Sequence, residues 1–272
     1  MKKTDNELAV YFSGSKLYGD DFTPSEIETW YKAEEEGYAN IISNGEGNYI
    51  YNYHELNKLF GFNLLPDASQ FPAALGIGSA FGEEFLPLVD ENRIGEITIL
   101  EPSEKLRNQF LGDVKVNYVK PLFDGRMAFE DNQFDVITCF GTLHHIPNVT
   151  FILNEMTRVL KPGGYMLIRE PINTMGDWRH PRTGLTANER GIPVSFFDRT
   201  FKNLKLTVVK KTLCESLFFY KILNKISPLK YTPRFYKMDS FISKLFSWNI
   251  HYHRTNPLQK IAPGSVFYVL RK

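Results

Sequence analysis

Cysteine is scarce in this chain: two in 272 residues, Cys139 inside an apolar run and Cys214 far from it in sequence. Two such thiols do not make a disulfide framework, and they suit a reducing, cytoplasmic setting. Long hydrophobic runs are also missing. No segment approaches the roughly 18 uninterrupted apolar residues of a membrane span. Nor is there an excess of charge of one sign: 32 Lys and Arg balance 31 Asp and Glu, for a net charge of +1. Bulk charge therefore gives no reason to expect a nucleic-acid partner. The opening Met1-Lys2-Lys3-Thr4-Asp5-Asn6-Glu7 is charged and has no apolar core, so a signal peptide is not expected. Internal repeats and low-complexity tracts are absent as well. What is present is enough chain to bury a full core, as one large domain or one domain with a cap.

The stretch that organises the rest is Phe71-Pro72-Ala73-Ala74-Leu75-Gly76-Ile77-Gly78-Ser79-Ala80-Phe81-Gly82. It reads as a buried strand running into a glycine-rich turn, with Phe85 and Leu86 opening a helix. Gly78 and Gly82 permit positive φ and close backbone approach, and Ala80 is nearly as small. In open α/β sheets such a turn lies where nucleotide-like ligands bind, and the following helix adds free N–H groups. Glycine turns also occur for packing alone. About 20 residues on, the apolar run Ile97-Thr98-Ile99-Leu100 is followed by Glu101, placed to accept both hydroxyls of a ribose. The alternative for Glu101 is a solvated acid beside a helix that Ser103 caps through Leu106 and Phe110.

A third buried run, Phe134 to Phe140 with Gly141 behind it, leads into Leu143-His144-His145-Ile146-Pro147. A helix then ends at Arg158-Val159-Leu160-Lys161-Pro162-Gly163-Gly164, and Tyr165 to Glu170 is the next strand, ending at Pro171. Over Phe71–Pro171 this order resembles the class I S-adenosylmethionine-dependent methyltransferases, in particular the small-molecule branch with an LHH segment and an RVLKPGG turn. The resemblance implies a Rossmann-like α/β fold: a doubly wound, mostly parallel seven-stranded sheet with an antiparallel last strand. It implies S-adenosyl-L-methionine as cofactor, held around Gly76, Gly78, Ala80, Gly82, Glu101, Phe140 and Gly141, and methyl transfer to a small-molecule acceptor. Asp124, in Pro121-Leu122-Phe123-Asp124-Gly125, is the candidate for the adenine amino group, against an ordinary turn aspartate. One departure stands out. The family usually has an acid where this chain has Gly76, and Gly where it has Ala80.

For an oxygen acceptor, histidine has a suitable pKa to take the proton. The candidates are His145, His144 and His180, with Glu170 orienting a hydroxyl or an imidazole. No metal-ligand set is assigned. A metabolite or glycan-intermediate hydroxyl is the favoured acceptor. Another reaction with a related adenosyl cofactor, or a catalytically silent binding protein, remains open.

The predicted elements are strands 72–77, 97–101, 116–119, 134–140, 165–170, 204–209 and 265–270, with helices 83–90, 104–111, 149–160 and 193–201. Residues 1–70 read as a helical cap or lid before a domain spanning 71–272. Thr23-Pro24-Ser25-Glu26 starts one of its helices, with Ile27, Trp30, Tyr31 and Tyr38 on one side. A second helix runs from Tyr53 to Phe60, stopped by Gly61. These aromatics read either as core or as a lid that brings Tyr11, Tyr18, Trp30 or Tyr31 near the substrate. The polar loop between Pro171 and Phe196, with Asn173, Asp177, Trp178, Arg179, His180, Arg182, Asn188, Glu189 and Arg190, is expected to face the substrate. The aromatic insertion 210–264 reads as a small helical subdomain with its own core, a homodimer surface, or a wall for a bulky acceptor.

Overall fold

The computed structural model describes residues 5–43, 51–67, 70–178, 180, 182–223 and 231–272. Eight strands form one sheet: β1 (Phe71–Ile77), β2 (Ile94–Leu100), β3 (Phe110–Leu111), β4 (Val114–Val119), β5 (Phe134–Phe140), β6 (Leu160–Pro171), β7 (Thr207–Cys214) and β8 (Ser265–Arg271). Their spatial order is β3-β4-β2-β1-β5-β6-β8-β7. From β4 to β6 all neighbours are parallel, and β8 is antiparallel to both β6 and β7. The chain reverses its direction of winding between β1 and β5, which opens a crevice beyond the carboxyl ends of the parallel strands.

The helices are α1 (Asp5–Phe12), α2 (Pro24–Ser43), α3 (His54–Phe60), α4 (Leu86–Asp90), α5 (Val149–Val159), α6 (Val194–Asn203), α7 (Leu217–Leu223) and α8 (Pro233–Leu245). Helix α5 shows why the sheet is covered. Val149, Ile152, Leu153, Met156 and Val159 recur at helical spacing and are all buried, while Phe151 points outward. Each such side chain contributes about 1.5–3 kcal/mol by leaving water. With Phe196, Phe197 and Phe201 of α6 they pack on Leu75, Ile137 and Cys139 of the sheet. The opposite face, with Ala74, Val136 and Phe140, is covered by α3, the 3₁₀ turn Glu83–Phe85, α4, α7 and α8.

Several expectations change. Residues 104–111 form no helix. The backbone N–H of Ser103 goes to Glu101 Oε1 and that of Asn108 to Tyr118 Oη, and Phe110 pairs with Lys115 in an antiparallel ladder. The Lys161-Pro162-Gly163-Gly164 turn lies inside β6, which starts directly at the end of α5. The strand expected at 204–209 runs Thr207–Cys214, because α6 continues to Asn203 and Lys205 turns the chain at φ 57°. Within residues 1–70, Leu56, Phe60 and Phe62 belong to the sheet's own core. Among the described residues of the insertion, Phe219, Phe235 and Tyr236 pack into that same layer. Of the expected aromatic stripe on α2, the Tyr38 side chain lies outside the described residues, as does Arg179 of the polar loop.

Candidate active site

At the end of β1, Gly78 adopts φ 63° and gives its N–H to the Leu100 carbonyl at 2.8 Å. A Cβ there would come to 2.5 Å from Thr142 Cγ2. Ala80 is held at φ 45°, unusual for a residue with a side chain. Two contacts hold it there. Its N–H reaches Glu101 Oε2 at 3.2 Å, and its carbonyl accepts the Tyr118 hydroxyl at 2.9 Å. Ser79 folds back over Gly76 and donates to Glu84 Oε1 at 2.9 Å. Thr138 Oγ1 donates to the same carboxylate. The acid missing from position 76 is thus matched by one buried on the layer behind the strand, and burial pushes Glu84 up to about 7. Glu101 is also raised by burial, against the pull of the Ser103 and Ala80 amides.

At the end of β5, Gly141 turns the chain at φ 69° into the 3₁₀ turn Leu143–His145. Glu170, fully buried at the end of β6, fixes this turn. It accepts the N–H groups of Thr142 and Leu143 at 2.8 and 2.7 Å and bonds His144 Nδ1 at 2.7 Å. Arg190, also fully buried, holds the turn from outside by donating to the carbonyls of Tyr18, Leu143, His144, Ile146 and Pro147. His144 Nε2 lies 3.4 Å from Glu189 Oε1. Burial alone would lower the His144 pKa, but the Glu170 and Glu189 carboxylates outweigh it and raise it to about 9. For Glu189, burial is outweighed by the His144 hydrogen bond and the His145 charge, and its pKa falls to about 2.

Helix α2 crosses this turn. Trp30 Nε1 donates to the His145 carbonyl at 2.7 Å, and Glu34 Oε2 is 2.9 Å from His145 Nδ1. A capping box starts the helix: Glu26 accepts the Thr23 N–H at 2.8 Å while Thr23 Oγ1 accepts the Glu26 N–H.

Between these parts lies a cleft that opens to solvent. Its walls bring together Gly78, Glu101, Gly141 and His145 with Tyr31, Glu34 and Glu35 of α2 and the apolar Leu122, Phe123 and Met127. The other sequence candidates do not line it. Gly76 lies within β1, and Ala80 and Gly82 belong to the turn that follows it. Phe140 packs its ring against Phe62 and Phe267 in the core. Asp124 binds Arg126 with its carboxylate, between the lining residues Phe123 and Gly125. His180 is exposed, and Glu170 acts through His144.

The described residues of the polar loop do not line the cleft either; Arg182 and Arg190 clamp backbone carbonyls, and Trp178 stacks on Tyr18 at 4.8 Å. Sequence reasoning missed Glu34. Its signal was an acid continuing the Ile27-Trp30-Tyr31 face of α2, where the spacing calls for an apolar residue.

A parallel sheet with a glycine turn, a strand-end carboxylate and a crevice at the reversal point defines a nucleotide-type binding protein. Residues 75–168 match the model of the family described as "Methyltransferase domain". They are a domain of the class I S-adenosylmethionine-dependent methyltransferases, whose cofactor is S-adenosylmethionine. The chain is 29% identical over 93 residues to the ubiquinone biosynthesis O-methyltransferase of Shewanella pealeana, covering 34% of this chain and 39% of that one. It is 29% identical over 104 residues to the sterol 4-C-methyltransferase strm-1 of Caenorhabditis elegans, covering 37% and 31%. The chain thus spans about a third of the length of these curated relatives. Its fold resembles a solved putative S-adenosylmethionine-dependent methyltransferase from Listeria monocytogenes, with TM-score 0.56, 13% identity, and 82% and 99% of the two chains covered.

Proposed function

We propose that this chain transfers a methyl group from S-adenosylmethionine to a hydroxyl oxygen of a small molecule, a metabolite or glycan intermediate. The observation that carries this reading is the cleft itself: Glu101 and Gly78 on one wall, and a His145–Glu34 pair on the other. In this reading Glu101 accepts the ribose hydroxyls, and the apolar Leu122, Phe123 and Met127 contact the adenine. Helix α2 serves as a lid, with Tyr31 and Glu34 over the acceptor.

In this reading Nδ1 of His145 is bonded to Glu34 and Nε2 is the nitrogen that takes the proton. The acceptor O–H gives its proton to that nitrogen, the oxygen forms a bond to the methyl carbon, and the carbon–sulfur bond breaks to leave a neutral thioether. The sulfonium needs no acid to help it depart, so alignment supplies much of the rate. The positioned base adds about 10²–10⁴-fold.

Calorimetry with S-adenosylmethionine tests the assignment. Glu101→Ala is expected to weaken binding at least tenfold, because two charge-assisted hydrogen bonds are lost at about 1.5–3 kcal/mol each. His145→Ala is expected to leave binding within a few-fold and to lower turnover about 10²-fold or more. Unchanged affinity in a folded Glu101→Ala protein would refute the ribose role.

A further inference from the structure

Behind the cleft wall, three carboxylates, Glu34, Glu170 and Glu189, surround two imidazoles, His144 and His145. Among the described residues the only ion-pair partners of these acids are those two histidines. Arg182 and Arg190 spend their donors on backbone carbonyls and act on these acids through their charge alone.

We propose that His144, His145 and Glu189 form a binding site for one divalent transition-metal ion of the zinc type. Each of the three brings a ligand atom to within 4.8 Å of the other two. The His144 Nε2–Glu189 Oε1 separation is 3.4 Å. Two ligands each about 2.1 Å from a tetrahedral zinc ion lie about 3.4 Å apart. The tautomers are prepared as well. Glu170 holds Nδ1 of His144 and Glu34 holds Nδ1 of His145, the carboxylate–histidine arrangement that orients a metal-binding imidazole and raises its basicity.

Glu34 stands outside the ligand set, on the Nδ1 side of His145, and its Oε1 is buried without a hydrogen-bond partner among the described residues. Two imidazoles with carboxylate oxygen favour zinc, iron or nickel over the all-oxygen sites of magnesium or calcium.

The site stands whether or not the chain transfers methyl groups. Its consequence for an acceptor rests on the methyl-transfer reading. Since His145 lines the cleft, an ion there would bind the acceptor oxygen and lower its pKa, leaving His145 as ligand in place of base.

The test reads metal, not turnover. The full chain, stripped with a chelator, is titrated with Zn²⁺ and with Mg²⁺ by calorimetry. One equivalent of Zn²⁺ is expected, bound at least tenfold more tightly than Mg²⁺. Glu189→Gln should weaken Zn²⁺ at least tenfold and Glu34→Gln about 10–100-fold, while exposed His180→Ala leaves it unchanged. X-ray absorption of the zinc-loaded wild type should count two imidazoles, a measurement that holds even if a variant fails to fold. No stoichiometric Zn²⁺, or an imidazole count other than two, overturns the site. So does a folded Glu189→Gln protein of full affinity. S-adenosylmethionine binding measured on the same preparation tells failure of the metal site from failure of the methyltransferase reading.

Discussion

Gly78 shows what a single residue decides here. Its φ of 63° alone costs a side-chain-bearing residue about 1–2 kcal/mol. The space a Cβ would need is held by Thr142, whose Oγ1 donates to the Ile77 carbonyl at 3.0 Å. A larger residue at 78 therefore acts first by pushing the Thr142 turn, which carries the histidines, and only then by filling ligand space. Gly78→Ala is expected to destabilise the protein by about 2–5 kcal/mol, combining the backbone cost with about 1–3 kcal/mol of overpacking. It should also abolish cofactor binding. Adding Thr142→Ala removes the two atoms met at 2.5 and 2.6 Å, so the double variant should be more stable than the sum of the single changes predicts. Urea unfolding of the four proteins measures this. Strict additivity would show that the two positions do not press on each other.

Among the elements, the turn Leu143–His145 leans on distant side chains: Arg190 donates to the Leu143 and His144 carbonyls and Trp30 to that of His145. Arg190→Met keeps most of the volume but takes a donor from five carbonyls. Those of Leu143, His144 and Pro147 keep a backbone N–H, while those of Tyr18 and Ile146 are left without a donor among the described residues, each a loss of about 1–3 kcal/mol where no water enters. A loss of at least about 2 kcal/mol is expected, and Arg190→Lys, lacking the planar fork, should recover little of it. A melting temperature within about 2 °C of wild type would show that the turn stands without the clamp.

The clamp also marks how far the sequence was legible. The parallel strands and α5 could be read because apolar spacing is local, and Glu101 and the His-His pair drew notice as polar residues just past such strands. The helix expected at 104–111 failed because Ser103 and Asn108 find partners on Glu101 and Tyr118, which propensity does not register. Glu34 meets His145 across 111 positions, and Glu170 meets His144 across 26. Such pairs exist only once the sheet is assembled.

For the whole molecule, two layers of apolar packing isolate charge on both sides of one sheet, and two of the buried acids, Glu189 and Glu84, respond to pH with opposite sign. On the cleft side, Glu189, depressed to about 2, adds stability as pH rises from about 2 to 4.5. On the other side, Glu84 is raised from 4.5 to about 7 by burial, against the hydrogen bonds from Thr138 and Ser79. Between about pH 4.5 and 7 the native state keeps the Glu84 proton while the unfolded chain has lost it. The native state then binds more protons, so stability falls as pH rises through this window and levels off above it. A shift of about 2.5 pKa units corresponds to about 3 kcal/mol. Glu84→Gln keeps an oxygen for both hydroxyls and removes the ionisation. Relative to wild type, the variant should therefore gain about 3 kcal/mol between pH 4.5 and 8, since the cleft-side groups titrate alike in both proteins and cancel. Urea midpoints of the pair, followed across that range, measure the difference directly. A constant difference would mean that Glu84 is ionised in the folded protein throughout, with Arg169, whose charge lowers the Glu84 pKa, holding it in that form.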